Sequence, residues 1–230
     1  MNKPVLHQWE ISPFCQKVAK ALQHKGIAYD LVNYNGILGS KVPRLSKVGK
    51  LPVLDIQGQR IQDSTRIARY LDELFPDAPR LYPVEPMAKA QVEIWEDWSD
   101  EYLYWYEVYF RATDDNALDH AVKISTIGRP AYERKLLKPI LKTALSAQLY
   151  MQGLGRMAQA EVEAEFFRHL DRLEAVLSVS TWLVGSEKTI ADIAVATQLN
   201  EMLRTSVPMK SAIFQRVKLK EWLTQVIGDL

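Results

Sequence analysis

Pro76, Pro79, Pro83 and Pro86 crowd into one short segment and divide the chain into two textures. Each proline removes a backbone donor and disfavours helix immediately before it, so residues 79–86 read as a linker. Ahead of them, short apolar segments alternate with helical patterns: a strand over Val5–Trp9, a helix over Phe14–Lys25 and a strand over Ala28–Asn33. Strands Val53–Ile56 and Arg60–Gln62 then flank the turn Gln57-Gly58-Gln59, and a helix follows over Arg66–Phe75. That order predicts a compact α/β unit of βαβ-ββα type over residues 1–78. Beyond the prolines no strand pattern is convincing. Spaced apolar residues predict amphipathic helices over Met87–Arg111, Ala131–Gln152, Ala158–Leu177, Ile190–Thr205 and Ser211–Ile227, hence an all-helical unit over 87–230. Thr113–Arg129 is the weakest stretch, with partial helix and mobility expected between Asp114-Asp115-Asn116 and Gly128-Arg129-Pro130.

Composition narrows the partners. Twenty-nine basic residues stand against 28 acidic ones, so no bulk charge draws the chain to nucleic acid or to an acidic membrane. A single cysteine excludes a disulfide framework and a multi-cysteine metal site, and fits a reducing compartment. The N-terminus has no signal-like apolar region and no apolar run reaches bilayer-spanning length, which makes a soluble cytoplasmic protein the expectation. His7, His24, His120 and His169 lack metal spacing, and no phosphate loop or serine-hydrolase elbow is present.

The chemistry concentrates at Ser12-Pro13-Phe14-Cys15, between the first strand and the first helix. A Cys-x-x-Cys pair there would suit redox exchange, because a helix N-terminus stabilises a thiolate at the first cysteine. Serine at the first position removes that cycle and leaves a site suited to another molecule's thiolate. Ser12 followed by Pro13 is also a helix cap with proline at the first helical position. The roles are compatible, since a hydroxyl accepts from a backbone N–H while donating its own proton. A donor worth roughly 1.5–3 kcal/mol to the anion lowers a thiol pKa by about one to two units. Cys15 is either a redox thiol or, the better reading, a small buried apolar residue.

Further along, Leu51-Pro52 precedes a strand, and its peptide isomer is open in the sequence. If cis, it would present the Leu51 backbone to an extended peptide. Asp63-Ser64-Thr65 opens a helix, with Ser64 as cap; alternatively its free N–H groups bind a carboxylate while Asp63 attracts an amine, which fits an α-amino acid end. Thr189-Ile190-Ala191-Asp192 fits a capping box and reads as structural. Trp95, Trp98, Tyr102, Trp105 and Tyr109 recur at helical spacing, chiefly as core or subunit packing, or as the wall of an apolar cleft.

Taken in order, Ser-Pro-Phe-Cys, Lys50-Leu51-Pro52-Val53-Leu54, Gln62-Asp63-Ser64 leading into Ile67-Ala68-Arg69-Tyr70-Leu71, and the late Thr-x-x-Asp box resemble the cytosolic glutathione transferase superfamily. The resemblance covers nearly the whole chain and implies a thioredoxin-like N-terminal domain followed by an all-helical one, commonly as a homodimer. It implies glutathione as co-substrate, no metal, and a hydrophobic electrophile as second substrate, in the manner of detoxification. Residue by residue, Pro52 matches the cis-proline, Leu51 the backbone that pairs with the cysteinyl part, and Asp63 and Ser64 the γ-glutamyl site. Lys50 and Lys41 are candidates near the peptide and the glycyl carboxylate. Ser12 matches the thiolate-stabilising serine, with Cys15 the alternative. Phe14, Trp98, Tyr102 and Trp105 are the candidate electrophile pocket. A thiol-disulfide or dehalogenating enzyme using Cys15, and a non-catalytic binding module, are the competing readings.

Overall fold

A computed structural model describes residues 3–228. Strand β1 (Val5–Gln8) leads into α1 (Pro13–His24), β2 (Asp30–Asn33), a 3-10 segment (Gly36–Lys41) and the short α2 (Val42–Leu45). Strands β3 (Val53–Ile56) and β4 (Gln59–Gln62) form a hairpin, followed by α3 (Ser64–Leu74). The sheet order is β2-β1-β3-β4, with β1 parallel to β2 and antiparallel to β3, and β3 antiparallel to β4. This is the expected βαβ-ββα unit. Alternation sets its layers: Leu6, Leu54 and Ile56 point into the core with Val18 and Leu22 of α1 and Ile67 and Leu71 of α3.

The proline-rich segment is fastened down. Asp72 on α3 accepts from the backbone N–H groups of Leu81 and Tyr82 and from Lys25 Nζ at 2.8 Å. Leu81 is fully buried, and its carbonyl accepts from Ile190 N at 2.9 Å. These bonds tie the first unit to the helical one on both sides of the segment.

The helical part is α4 (Pro86–Asp97), a π-type turn (Trp98–Leu103), α5 (Tyr104–Thr113), α6 (Asp115–Ser125), α7 (Ala131–Gln152), α8 (Gln159–Val179), α9 (Ile190–Thr205), α10 (Val207–Phe214) and α11 (Val217–Ile227). Three expectations change. The predicted Met87–Arg111 helix is interrupted by the π turn. The stretch 113–129 contains a full helix, because the Asp114 carboxylate accepts from Asn116 N and Ala117 N and so starts α6 rather than ending its predecessor. The predicted Ser211–Ile227 helix is two helices, broken where Arg216 turns its guanidinium onto the Asp171 carboxylate and the Ala212 carbonyl.

Helix α9 is the centre of the molecule, buried on nearly every face and packed against α1, α4, α5 and α11. Its start is held by Asp192, fully buried, which accepts from Leu183 N and Thr189 N at 2.9 Å each, from the Thr189 hydroxyl, and from Trp222 Nε1 at 3.0 Å. Thr189 therefore donates to the acid, and the motif is a buried four-donor cap. Burial pushes the Asp192 pKa upward against these bonds.

Candidate active site

The site begins where β1 ends. Ser12 caps α1 from an extended conformation, its Oγ accepting from Cys15 N at 3.4 Å, with Pro13 filling the first helical position. The half-buried hydroxyl also bonds to the Cys15 sulfur, where it favours the ionised thiol. Cys15 lies one turn in and is fully buried, its Sγ accepting from Trp9 N at 3.4 Å. Burial pushes its thiol up to about 11 despite the bonds from Ser12 and Trp9. At neutral pH only about one molecule in ten thousand would carry the thiolate there.

Two further corners approach from the hairpin. The Leu51-Pro52 peptide is cis. The turn ahead of it is fixed by Ser46, buried, whose Oγ accepts from Lys50 N at 3.3 Å and donates to Gln62 Oε1 at 3.1 Å. Gln62 also accepts from Lys47 N at 2.8 Å, so the end of β4 and the proline turn are one construction. Asp63 then takes φ of +78°, a left-handed conformation uncommon outside glycine, and its Oδ1 accepts from Arg66 N at 3.0 Å. Asp63, not Ser64, is therefore the cap of α3; Ser64 is the first helical residue and is buried. Lys41 and Lys50 are exposed, at the end of the 3-10 segment and beside the proline turn.

The expected aromatic wall divides. Phe14 meets Tyr104, ring centroids 5.1 Å apart, and Trp105 packs beside Tyr104. Trp98 and Tyr102 instead close with Tyr106 around His169 of α8, at 5.5, 5.1 and 5.5 Å. Their face of the helix looks at α8. Desolvation inside that ring, aided by Arg172 and Arg168, lowers His169 to about 4.

The face that looks at α1 is charged. Lys17 Nζ lies 2.6 Å from both Glu96 and Asp100, and Thr65 and Tyr82 donate to the two oxygens of Glu96. Desolvation raises Asp100 to about 6, opposed by Lys17. Beneath Ser12, Arg111 pairs with Glu107 and lies 3.8 Å from Glu201. Glu201 also accepts from Gln16 and Arg204, while Arg204 Nη1 reaches the Glu10 carbonyl at 3.3 Å and Asn200 donates to Gln16 at 2.9 Å. Burial raises Glu201 to about 7, against the pull of Arg204 and Arg111. Sequence reasoning passed over this floor, although its signal was present. Glu107 with Arg111 and Glu201 with Arg204 are opposite charges three or four residues apart inside otherwise apolar helices.

Comparison with known proteins decides the family. The glutathione S-transferase N-terminal domain model matches residues 6–79, and the C-terminal domain model matches residues 132–228. The chain belongs to the glutathione S-transferase family. Glutathione S-transferase U10 of Arabidopsis thaliana is 30% identical over 107 residues, 45% of this chain and 45% of that protein, so the match spans under half of that relative's length. Protein LigF of Sphingobium sp. is 27% identical over 157 residues, 65% of this chain and 58% of LigF. The crystal structure titled beta-etherase LigF superposes with a TM-score of 0.72 over 99% of this chain and 96% of that one, at 21% identity, which speaks to the fold. Rice elongation factor 1-gamma 2 is 27% identical over 85% of this chain and 39% of its own length.

Proposed function

We propose that this family member is a glutathione transferase that attacks hydrophobic electrophiles with the glutathione thiolate, Ser12 stabilising the anion. The observation that carries the reading is the contrast at the head of α1. The half-buried Ser12 hydroxyl can turn its proton from the neutral Cys15 sulfur to an anion, a stronger acceptor, whereas the only cysteine is sealed and held far from ionisation. On this reading the Leu51 backbone pairs with the cysteinyl part of glutathione, and Asp63 and Ser64 receive the γ-glutamyl end. Lys50 and Lys41 lie toward the peptide and the glycyl carboxylate. Phe14 with Tyr104 and Trp105 forms the apolar wall for the electrophile. Trp98 and Tyr102, engaged with His169, are left out of it.

Catalysis then consists of positioning and anion stabilisation. Glutathione loses its thiol proton to solvent, the Ser12 hydroxyl donates to the sulfur, and the sulfur forms its bond to carbon as the leaving group departs with the electron pair. A cytoplasmic setting and a homodimer complete the proposal. Exposed Met87, Ile94 and Tyr102, beside a cavity of about 240 Å³ between α4 and α8, give an apolar face for a second copy.

A second reading is favoured by the likeness to rice elongation factor 1-gamma 2 over most of this chain: a binding module on the same fold. Calorimetric titration with glutathione, followed by conjugation assays over a panel of aromatic halides, epoxides and aryl ethers, separates the two. Binding with turnover supports the transferase. Absence of turnover across the panel supports the module, and absence of glutathione binding overturns the transferase reading.

A further inference from the structure

The segment after β2 is held from across the molecule. Asn35, buried, donates through Nδ2 to the Ile127 carbonyl and to Glu10 Oε2, each at 3.2 Å, and its Oδ1 accepts from Glu10 N at 3.3 Å. One side chain thus joins the loop ahead of Ser12, the start of the 3-10 segment and the turn between α6 and α7. Two residues on, the Ile37 N–H donates to Glu133 Oε2 at 2.9 Å. Glu133, on the first turn of α7, is almost inaccessible, and Arg129 grips it with Nη2 at 2.6 Å and Nε at 3.2 Å.

Gly36 shows how tight the seat is. It takes φ of +60°, and a Cβ there would fall 1.9 Å from Glu133 Oε2. Any side chain at 36 would evict the carboxylate. Ile127 and Arg129 lie within residues 80–131, matched by neither family model, so this arm of the latch stands outside the matched regions.

We infer that Glu133, with Arg129 and Asn35, is a positioning latch that pre-orders the Gly36–Lys41 segment for the glycyl end of the tripeptide thiol. The inference rests on the transferase reading for its ligand. Lys41 ends the latched segment, and Glu10 shares Asn35 with it, so the latch sets the distance between the glycyl corner and the Ser12 loop. A segment ordered in advance loses less freedom when the ligand arrives, which strengthens binding without touching the sulfur chemistry. The chemistry of the latch is one carboxylate accepting from one backbone N–H, so Glu133→Gln keeps that acceptor and loses only the ion pair.

The test pairs backbone hydrogen exchange over residues 36–41 in the ligand-free protein with steady-state kinetics. Glu133→Ala is expected to speed exchange at Ile37 and raise the KM for glutathione about tenfold, with kcat and the electrophile KM within about twofold. Glu133→Gln should restore most of that loss, with a KM rise below about threefold. Arg129→Ala, which leaves the acceptor in place, should fall between them and serves if Glu133→Ala fails to fold. Wild-type exchange and wild-type glutathione KM in Glu133→Ala, or in Arg129→Ala where Glu133→Ala does not fold, would overturn the latch. A wild-type protein that binds no glutathione would overturn the transferase reading instead. The latch would then stand on faster exchange in Glu133→Ala and fall on unchanged exchange.

Discussion

Two helices, α1 in the first unit and α9 at the centre of the helical one, begin with related devices that serve opposite ends. At α9, Asp192 gathers four donors in a place with no solvent access, and every bond closes on the protein itself. At α1, Ser12 accepts one backbone N–H, and its partly exposed hydroxyl has the Cys15 thiol, a weak acceptor, beside it. A saturated cap is a structural joint; one whose partly exposed hydroxyl is held only by a weak acceptor is available for a ligand. Substitution should separate the two, one through stability and the other through turnover.

The largest effect is expected from Asp192→Ala. Removing the carboxylate leaves Leu183 N, Thr189 N and Trp222 Nε1 buried without an acceptor, which should cost roughly 3–5 kcal/mol of stability. Chemical denaturation measures this, and per folded molecule the conjugation rate should stay near wild type. An Asp192→Ala protein with wild-type melting and no turnover would reverse the comparison. Ser12→Ala should do the opposite: kcat lower by about 10²–10³-fold, with glutathione affinity and melting nearly unchanged. Stopped assays at saturating glutathione read the first quantity, and calorimetry reads the second.

These two motifs were legible because each is local. Proline after a capping residue, and an acid three residues into an apolar helix, declare themselves in sequence. The β3–β4 hairpin was equally accessible, since the turn at Gly58 lies between two short strand patterns. What stayed hidden depends on contacts across long separations. Nothing near Asp114 says whether it ends one helix or caps the next. Trp98 and Tyr102 share helical spacing with Trp105, yet the choice between α8 and α1 as neighbour is made by Lys17 drawing Glu96 and Asp100 inward. The Asn35 and Glu133 bonds span chain separations that no periodicity records.

The charged floor sharpens the comparison through pH. Burial raises Glu201 to about 7, so the folded protein binds its proton more tightly than the unfolded chain does. Its contribution to stability is therefore present in full below the ordinary carboxylate range and is lost as pH rises through about 7; Asp100, raised to about 6, acts in the same direction lower down. Glu201→Gln should remove about 1–2 kcal/mol of the stability lost between pH 5 and 8, seen as a flatter dependence of melting temperature on pH. An unchanged slope would take Glu201 out of the account. The smallest effect belongs to Cys15→Ala: about 1 kcal/mol of stability from the lost buried sulfur, with conjugation within about twofold of wild type. Strong loss of activity there, with Ser12→Ala active, would transfer the chemistry to the thiol.

The central claim concerns one proton, and it is tested most directly by titrating the thiol of bound glutathione through the ultraviolet absorbance of its thiolate. In the wild-type complex the pKa should fall about one to two units below the free-thiol value of about 8.5, and in Ser12→Ala it should return most of the way. The same depressed value in both proteins would contradict the assignment of Ser12.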